Sequence, residues 1–282
     1  MNILLVAINA KYIHSNLAVY SLRAYAKEYR GHIRLLEYTI NHRTEYILRQ
    51  IYKQRPDVLC FSCYIWNFRY VQELAREFHK LVPEVPIWVG GPEVSYEAKA
   101  FLSDYPMVQG VMVGEGEATF RELCRFYVER NMEDETGSLN HHKPECSNGD
   151  GEGKHINLEE IAGLVFRDEK GEIVQTAVRT PLPMDELPFC YEHLEDFTNR
   201  IIYYETSRGC PFSCSYCLSS IEKGIRLRSL ELVEKELQFF LEQQVPQVKF
   251  VDRTFNCNHN HAFRIWRYLK EHDNGVTNFH FE

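Results

Sequence analysis

The sequence predicts an α/β protein: a doubly wound, Rossmann-like N-terminal domain followed by the opening units of a second, barrel-like βα domain. Three observations carry this expectation. Through the first 130 residues short apolar runs alternate with amphipathic stretches, the pattern of a parallel sheet covered by helices. Residues 131–157 then lose apolar periodicity and gain Gly, Asn and acidic residues, which marks a flexible insertion. From Arg200 a second βα alternation begins.

Taken in order, apolar runs predict strands over 3–8, 33–38, 58–63, 87–90 and 110–113, and helical spacing predicts helices over 15–28, 44–53, 68–81 and 118–130. Residues 1–130 thus form five βα units, which would bind a ligand beyond the carboxyl ends of their strands. Residues 158–199 supply a hairpin over 163–175 turning at Lys170-Gly171, then an extended, proline-rich connector over 181–188. Residues 200–282 read as strand 201–206, a cysteine-bearing loop, helix 230–243, strand 247–251, helix 259–272 and strand 278–281. The loop follows the carboxyl end of a strand, where barrel folds place active sites. The last strand stops at Glu282, so the expectation is a fragment of a barrel, or one closed by a partner chain.

Composition bounds the function classes. A chain of 282 residues with 44% hydrophobic and 26% charged residues is ordinary for a globular protein of two domains. A formal net charge of -8 gives no basic footprint for nucleic acid. No apolar run is long enough to span a bilayer, and Met1 leads directly into a strand instead of a signal peptide. A cytoplasmic, reducing location follows as the expectation.

The chemistry concentrates at Cys210, Cys214 and Cys217. A C-x-x-x-C-x-x-C spacing on one short loop can converge three thiolates on an iron–sulfur cluster and leave the fourth iron without a protein ligand. Zinc is the competing metal, but structural zinc takes four ligands in two knuckles, and no second pair lies at a suitable distance. A disulfide framework fits less well, because nine cysteines in a chain of this length are sparse and odd in number. His141, His142 and Cys146 of the insertion are a further metal-capable group, of a kind that flexible polar tracts often contain without a site.

The three-cysteine loop, with the aromatic Tyr216 before its last cysteine, resembles the signature of the radical S-adenosylmethionine superfamily. The resemblance implies a [4Fe-4S] cluster on Cys210, Cys214 and Cys217, chelation of S-adenosylmethionine by the open iron, and its reductive cleavage to a 5'-deoxyadenosyl radical. It further implies a partial (βα)6 TIM-like barrel for residues 200–282, and an electron donor such as flavodoxin or ferredoxin. Asp252, ending the strand at Phe250-Val251-Asp252, is similar to the aspartate of the cobalamin-associated branch, which implies that it accepts from the ammonium group of S-adenosylmethionine. A strand-end aspartate that caps the next turn is the other reading of this residue.

The first domain adds a second resemblance. Ser62 after the third strand and Gly90-Gly91 after the fourth are similar to two of the three elements of cobalamin-binding domains, in which the serine meets the nucleotide tail and the glycines make room for it. The third element, Asp-x-His-x-x-Gly, is replaced by Asn9-Ala10-Lys11, with His14 farther on. His14 is therefore read as a cobalamin-binding residue, a helix cap or a pocket-lining side chain. No G-x-G-x-x-G follows the first strand, which argues against a dinucleotide.

Neighbouring residues have plainer expectations. Cys60 and Cys63 read as buried structural thiols, and Tyr64 and Trp66 as corrin-flanking or covering aromatics. Arg226 and Arg228 are exposed cations able to bind a carboxylate, Ser229 is an N-cap, and Cys257 is a small buried thiol. Together these features imply a cobalamin-dependent radical enzyme that methylates an unactivated carbon of a small-molecule substrate. Radical cyclisation or rearrangement without methyl transfer is the alternative within enzymes. A module or redox sensor that holds cluster and cobalamin without turnover is the alternative outside them.

Overall fold

The computed structural model describes residues 1–137, 156–191, 193–221 and 224–281. In chain order the elements are β1 (Ile3–Asn9), α1 (Leu17–Tyr25), β2 (Ile33–Thr39), α2 (Thr44–Gln54), β3 (Val58–Ser62), α3 (Phe68–Leu81), β4 (Ile87–Gly90), α4 (Pro92–Ser95), α5 (Ala98–Asp104), β5 (Gly110–Met112) and α6 (Glu117–Gly137). There follow β6 (Leu164–Arg167), β7 (Ile173–Gln175), β8 (Ile202–Tyr204), β9 (Ser207–Cys210), β10 (Gly224–Leu227), α7 (Leu230–Glu242), β11 (Gln247–Phe250), α8 (His259–Glu271) and β12 (Asn278–His280). The chain divides into two compact units, one of residues Met1–Ala10 and Leu22–Thr180, the other of Lys11–Ser21 and Pro181–Glu282.

The first unit is built on a seven-stranded sheet of order β2-β1-β3-β4-β5-β6-β7. Its first five strands are parallel, and β6 and β7 are added antiparallel at one edge. The mixed α/β architecture with a mostly parallel sheet agrees with the sequence pattern. All seven residues of β1 are buried, as expected of a strand covered on both faces. Helix α3 turns Val71, Leu74, Ala75 and Phe78 into the core, the i, i+3, i+4, i+7 stripe that its sequence displays. The 163–175 hairpin forms as predicted around Gly171, and its two strands extend the first sheet beyond β5. Helix α1 is shorter than the predicted 15–28: Asn16 Oδ1 accepts from Val19 N at 3.3 Å at its start, and residues Lys27–His32 tighten into a 3-10 turn. Most of the predicted insertion, including His141, His142 and Cys146, lies outside the described residues, and α6 continues into its first part.

The second unit has a parallel three-stranded sheet of order β12-β11-β8 and an antiparallel pair, β9 with β10. The predicted strand 201–206 is thus shorter, and a new strand begins at Ser207. Ile202, Tyr204, Val248 and Phe250 are buried on one sheet face, with the Tyr204 ring against Phe240 of α7 at 5.5 Å. Among the described residues no helix is long and apolar enough to cross a membrane.

Candidate cofactor sites

In the first unit the order 2-1-3-4-5 makes β1 and β3 neighbours, the point in such a sheet where crossover connections diverge and leave a crevice at the strand ends. Ser62 ends β3 and Gly90 ends β4, and the two are register partners. Gly91 follows with φ +115°, and a Cβ on it would lie 2.4 Å from the Cys63 carbonyl oxygen. Its glycine is demanded by the protein's own backbone. Gly90 is different, since a Cβ there would meet its nearest atom, the Met112 carbonyl oxygen, at an ordinary 3.4 Å. The fold does not require glycine at 90, so a bare backbone there leaves room at the strand end.

The loop after β3 is fixed by a residue that the sequence reading passed over. Asn67 is buried, accepts from Tyr64 N at 2.8 Å, and donates to the carbonyls of Ile8 at 3.0 Å and Ser62 at 2.9 Å. Its signal was an asparagine at the head of an amphipathic stretch, which suggests a local helix cap, whereas its bonds reach β1. Trp66 donates its indole N–H to the same Ile8 carbonyl at 3.1 Å, and its ring stacks on Tyr64 at 4.5 Å. Cys60 and Cys63 are buried thiols, as expected, and desolvation pushes Cys60 up to about 12 and raises Cys63 as well. His14 belongs to the second unit, where it bridges Ile201 and sets its ring against Tyr203 at 5.8 Å.

The cysteine loop of the second unit leaves β9 and returns through β10. Cys210 pairs with Gly224, and Gly209 with Ile225. Gly209 has φ +94°, and a Cβ on it would stand 2.3 Å from the Gly224 carbonyl oxygen, so only glycine lets the two strands close the base of the loop. Within the loop Cys217 N donates to Cys214 O at 3.1 Å. Cys214 and Cys217 are exposed, as is Tyr216, whereas Cys210 is buried. The Thr254 hydroxyl lies 3.3 Å from Cys210 Sγ. This bond first, then one from the Phe212 backbone, lowers the Cys210 thiol below its ordinary range. The loop thus carries all three thiols, although no group of three or more His, Cys, Asp or Glu among the described residues is drawn together as a ready metal site. The donor set still suits an iron–sulfur cluster: three thiols on one closed loop, two exposed and one favoured as thiolate.

Asp252, 3% exposed, turns toward the start of β9. It accepts from Thr206 N at 3.0 Å, from Thr206 Oγ1 at 2.8 Å, and from Ser207 Oγ. Burial raises its pKa, against the lowering effect of these bonds. Arg228 corrects the expectation of an exposed cation. It is buried, makes a two-pronged pair with Glu236 through Nε at 2.9 Å and Nη2 at 2.5 Å, and donates to the carbonyls of Met184 and Leu187. Tyr204 donates to the same Glu236 at 2.6 Å. Arg226 donates to the Leu182 carbonyl, so both arginines hold the connector. Ser229 occupies the N-cap position without a side-chain cap, and its backbone N–H goes to Asp185 Oδ1 at 2.7 Å. Cys257 is half-buried, with a thiol raised by desolvation.

Known proteins resemble this chain in sequence and in fold. The B12 binding domain family matches residues 3–124. The chain is 31% identical over 208 residues to the 2-(S-pantetheinyl)-carbapenam-3-carboxylate methyltransferase of Streptantibioticus cattleyicolor, covering 71% of this chain and 28% of that protein. It is 30% identical over 208 residues to the cobalamin-dependent radical SAM methyltransferase TokK of Streptomyces tokunonensis, with coverage of 71% and 28%. Among solved structures, the radical enzyme OxsB with aqua-cobalamin and S-adenosylmethionine bound superposes with a TM-score of 0.72 at 19% identity, over 99% of this chain and 38% of that one. The methyltransferase TsrM of Kitasatospora setae, with cobalamin and a [4Fe-4S] cluster, gives 0.65 at 18% identity, over 98% and 53%. The chain spans 28% of the two curated relatives it matches here.

Proposed function

Because the B12 binding domain family matches residues 3–124 and the chain is similar to methyltransferases that include a cobalamin-dependent radical SAM enzyme, we propose that it is the cofactor-bearing part of a radical methyltransferase acting on a small molecule. The observation that carries the reading is the placement of Cys210, Cys214 and Cys217 on one loop closed by the β9–β10 pair. On this reading the first sheet is the cobalamin domain, and β8, β11 and β12 open a partial (βα)6 barrel.

The three cysteines hold the [4Fe-4S] cluster. Cys210, its thiol lowered first by the Thr254 hydroxyl, and the exposed Cys214 and Cys217 would supply the three ligating sulfurs. Ser62 and Gly90 receive the cobalamin tail, and Gly91 holds the turn that leaves Gly90 open. Tyr216, exposed on the same loop, would lie beside the cluster. Asp252 takes a positioning role: its carboxylate is committed to Thr206 and Ser207 and fixes where β9 begins. When bound, the cluster and S-adenosylmethionine supply radical chemistry and cobalamin supplies a methyl group. A flavodoxin or ferredoxin is the proposed electron donor.

Anaerobic reconstitution tests the reading. The protein should retain iron and cobalamin and, when reduced with S-adenosylmethionine, yield 5'-deoxyadenosine. Each of Cys210→Ala, Cys214→Ala and Cys217→Ala should lose the cluster's absorbance, and Gly90→Leu should lose cobalamin while keeping iron. Full iron retention in all three cysteine variants would sink the ligand assignment. A rearranged product without an added methyl group would shift the assignment to radical rearrangement.

A further inference from the structure

Strands β1 and β3 run side by side through the first sheet and part at its carboxyl end. Their register runs from Ile3 with Val58 to Val6 with Phe61. Beyond that pair each strand keeps its outer neighbour: β1 continues beside β2 to Asn9 with Thr39, and β3 beside β4 to Ser62 with Gly90. The splay opens the crevice of the switch point and ends the β1–β3 ladder, so backbone carbonyls on the two rims need other donors.

Asn67 supplies one. Its side chain is fully buried, and Nδ2 donates to Ile8 O on the β1 rim at 3.0 Å and to Ser62 O on the β3 rim at 2.9 Å. One amide therefore spans the crevice as a rung, just past the point where the ladder stops. Its Oδ1 accepts from Tyr64 N at 2.8 Å, which closes the turn into α3. These partners dictate the amide's orientation, because turning it over would aim Oδ1 at two carbonyl oxygens and Nδ2 at an N–H. The two ends of the group thus have separate effects: Oδ1 shapes the loop locally, and Nδ2 ties β1 to β3. Trp66 Nε1 shares Ile8 O at 3.1 Å, so the loop is pinned to β1 twice.

We propose that Asn67 is a positioning residue of the cofactor crevice: by holding the carboxyl ends of β1 and β3 at a fixed separation, it sets the width of the opening and the direction of the strand end at Ser62. It needs no contact with the ligand to do so. That the ligand is cobalamin, met by Ser62 and Gly90, rests on the function proposed above; the rung between β1 and β3 is a feature of the chain itself.

Asn67→Asp isolates the rung: it puts an oxygen in the place of Nδ2, keeps an acceptor for Tyr64 N, and turns a carboxylate toward two carbonyl oxygens. The 282-residue protein is titrated with hydroxocobalamin, followed by absorbance, at a temperature where urea melts show each variant folded. Asn67→Asp and Asn67→Ala should each weaken binding about tenfold, the scale of lost hydrogen bonds to buried carbonyls. Hydrogen exchange gives a second readout: the Tyr64 amide should stay protected in Asn67→Asp and exchange faster in Asn67→Ala. Phe78→Leu, in the last turn of α3 and so beside the amino ends of the strands, should lower the melting midpoint yet bind hydroxocobalamin as the parent does. Should the buried charge keep Asn67→Asp from folding, Asn67→Ala against Phe78→Leu decides. Parent-like binding by the Asn67 variants, or equal weakening by Phe78→Leu, would overturn the positioning role and leave the function proposed above standing. A parent that takes up no hydroxocobalamin would overturn the proposal together with the reading of the site on which it rests.

Discussion

Asp252 and Thr206 are bonded twice, through the backbone N–H of Thr206 at 3.0 Å and its hydroxyl at 2.8 Å. Asp252, two positions past the end of β11, thereby fixes the point at which the chain leaves β8 and turns into the strand that ends at Cys210. A buried carboxylate with several donors is worth its desolvation only while those donors face it.

Replacing Asp252 with Asn sets an amide N–H₂ among groups that all donate. A loss of about 1–3 kcal/mol is expected by urea unfolding in mildly acidic buffer. The folded pKa is raised above the ordinary 3.8, so the folded state holds this proton more tightly than the unfolded state. That contribution is complete below the unfolded pKa and is lost as pH rises through the folded one. The advantage of the parent over Asp252→Asn should therefore narrow from acid toward neutral pH; a gap that widens would contradict the assigned direction.

The two adjacent glycines should separate by consequence. Gly91→Ala drives a Cβ to 2.4 Å from the Cys63 carbonyl oxygen at φ +115°, and should cost more than about 2 kcal/mol in thermal or urea melts. Gly90→Ala meets only ordinary contacts and should melt within about 1 kcal/mol of the parent. If both melt alike, the distinction between a backbone-imposed and a space-keeping glycine fails.

Breaking the buried pair from either side leaves a stranded charge. Arg228→Met and Glu236→Leu should each destabilise the second unit by about 3–5 kcal/mol, and the double variant should cost much less than the sum. Denaturant midpoints of the three variants give the coupling directly.

The Thr254 hydroxyl is the leading cause of the lowered Cys210 thiol. Thr254→Val should shift the pH midpoint for alkylation of Cys210 in the metal-free protein upward, and Thr254→Ser should restore it. An unchanged midpoint would assign the lowered value to the Phe212 backbone instead.

What the sequence disclosed was what neighbours along the chain determine. The alternating runs of β1 to β5, the apolar stripe of α3 and the Gly171 turn are local patterns, and each appears in the fold close to its expected place. Arg228 was misjudged because its partner Glu236 sits eight positions on in another element, and its carbonyl acceptors lie 41 and 44 positions back. Strand β10 falls within what the sequence presents as the cysteine-bearing loop, since its pairing with β9 spans that whole loop. Gly91 carried a glycine signal in the sequence, but its cause, the Cys63 backbone, is visible only in three dimensions. Ser62 and Gly90 were picked separately and prove to be register partners, a relation that pairing between strands creates.

The division of the chain has a practical consequence for anyone dissecting it. The second unit is discontinuous in sequence, because Lys11–Ser21 belongs to it while the residues on either side do not. A fragment beginning at Pro181 would lose the Ile13 carbonyl and the Ser15 hydroxyl that bond Ile201, leaving a raw edge beside β8. A fragment ending at Thr180 would carry that segment with nothing to pair with. Neither half is a faithful copy of its unit, so separate expression requires grafting the 11–21 segment onto the later piece by circular permutation or a linker.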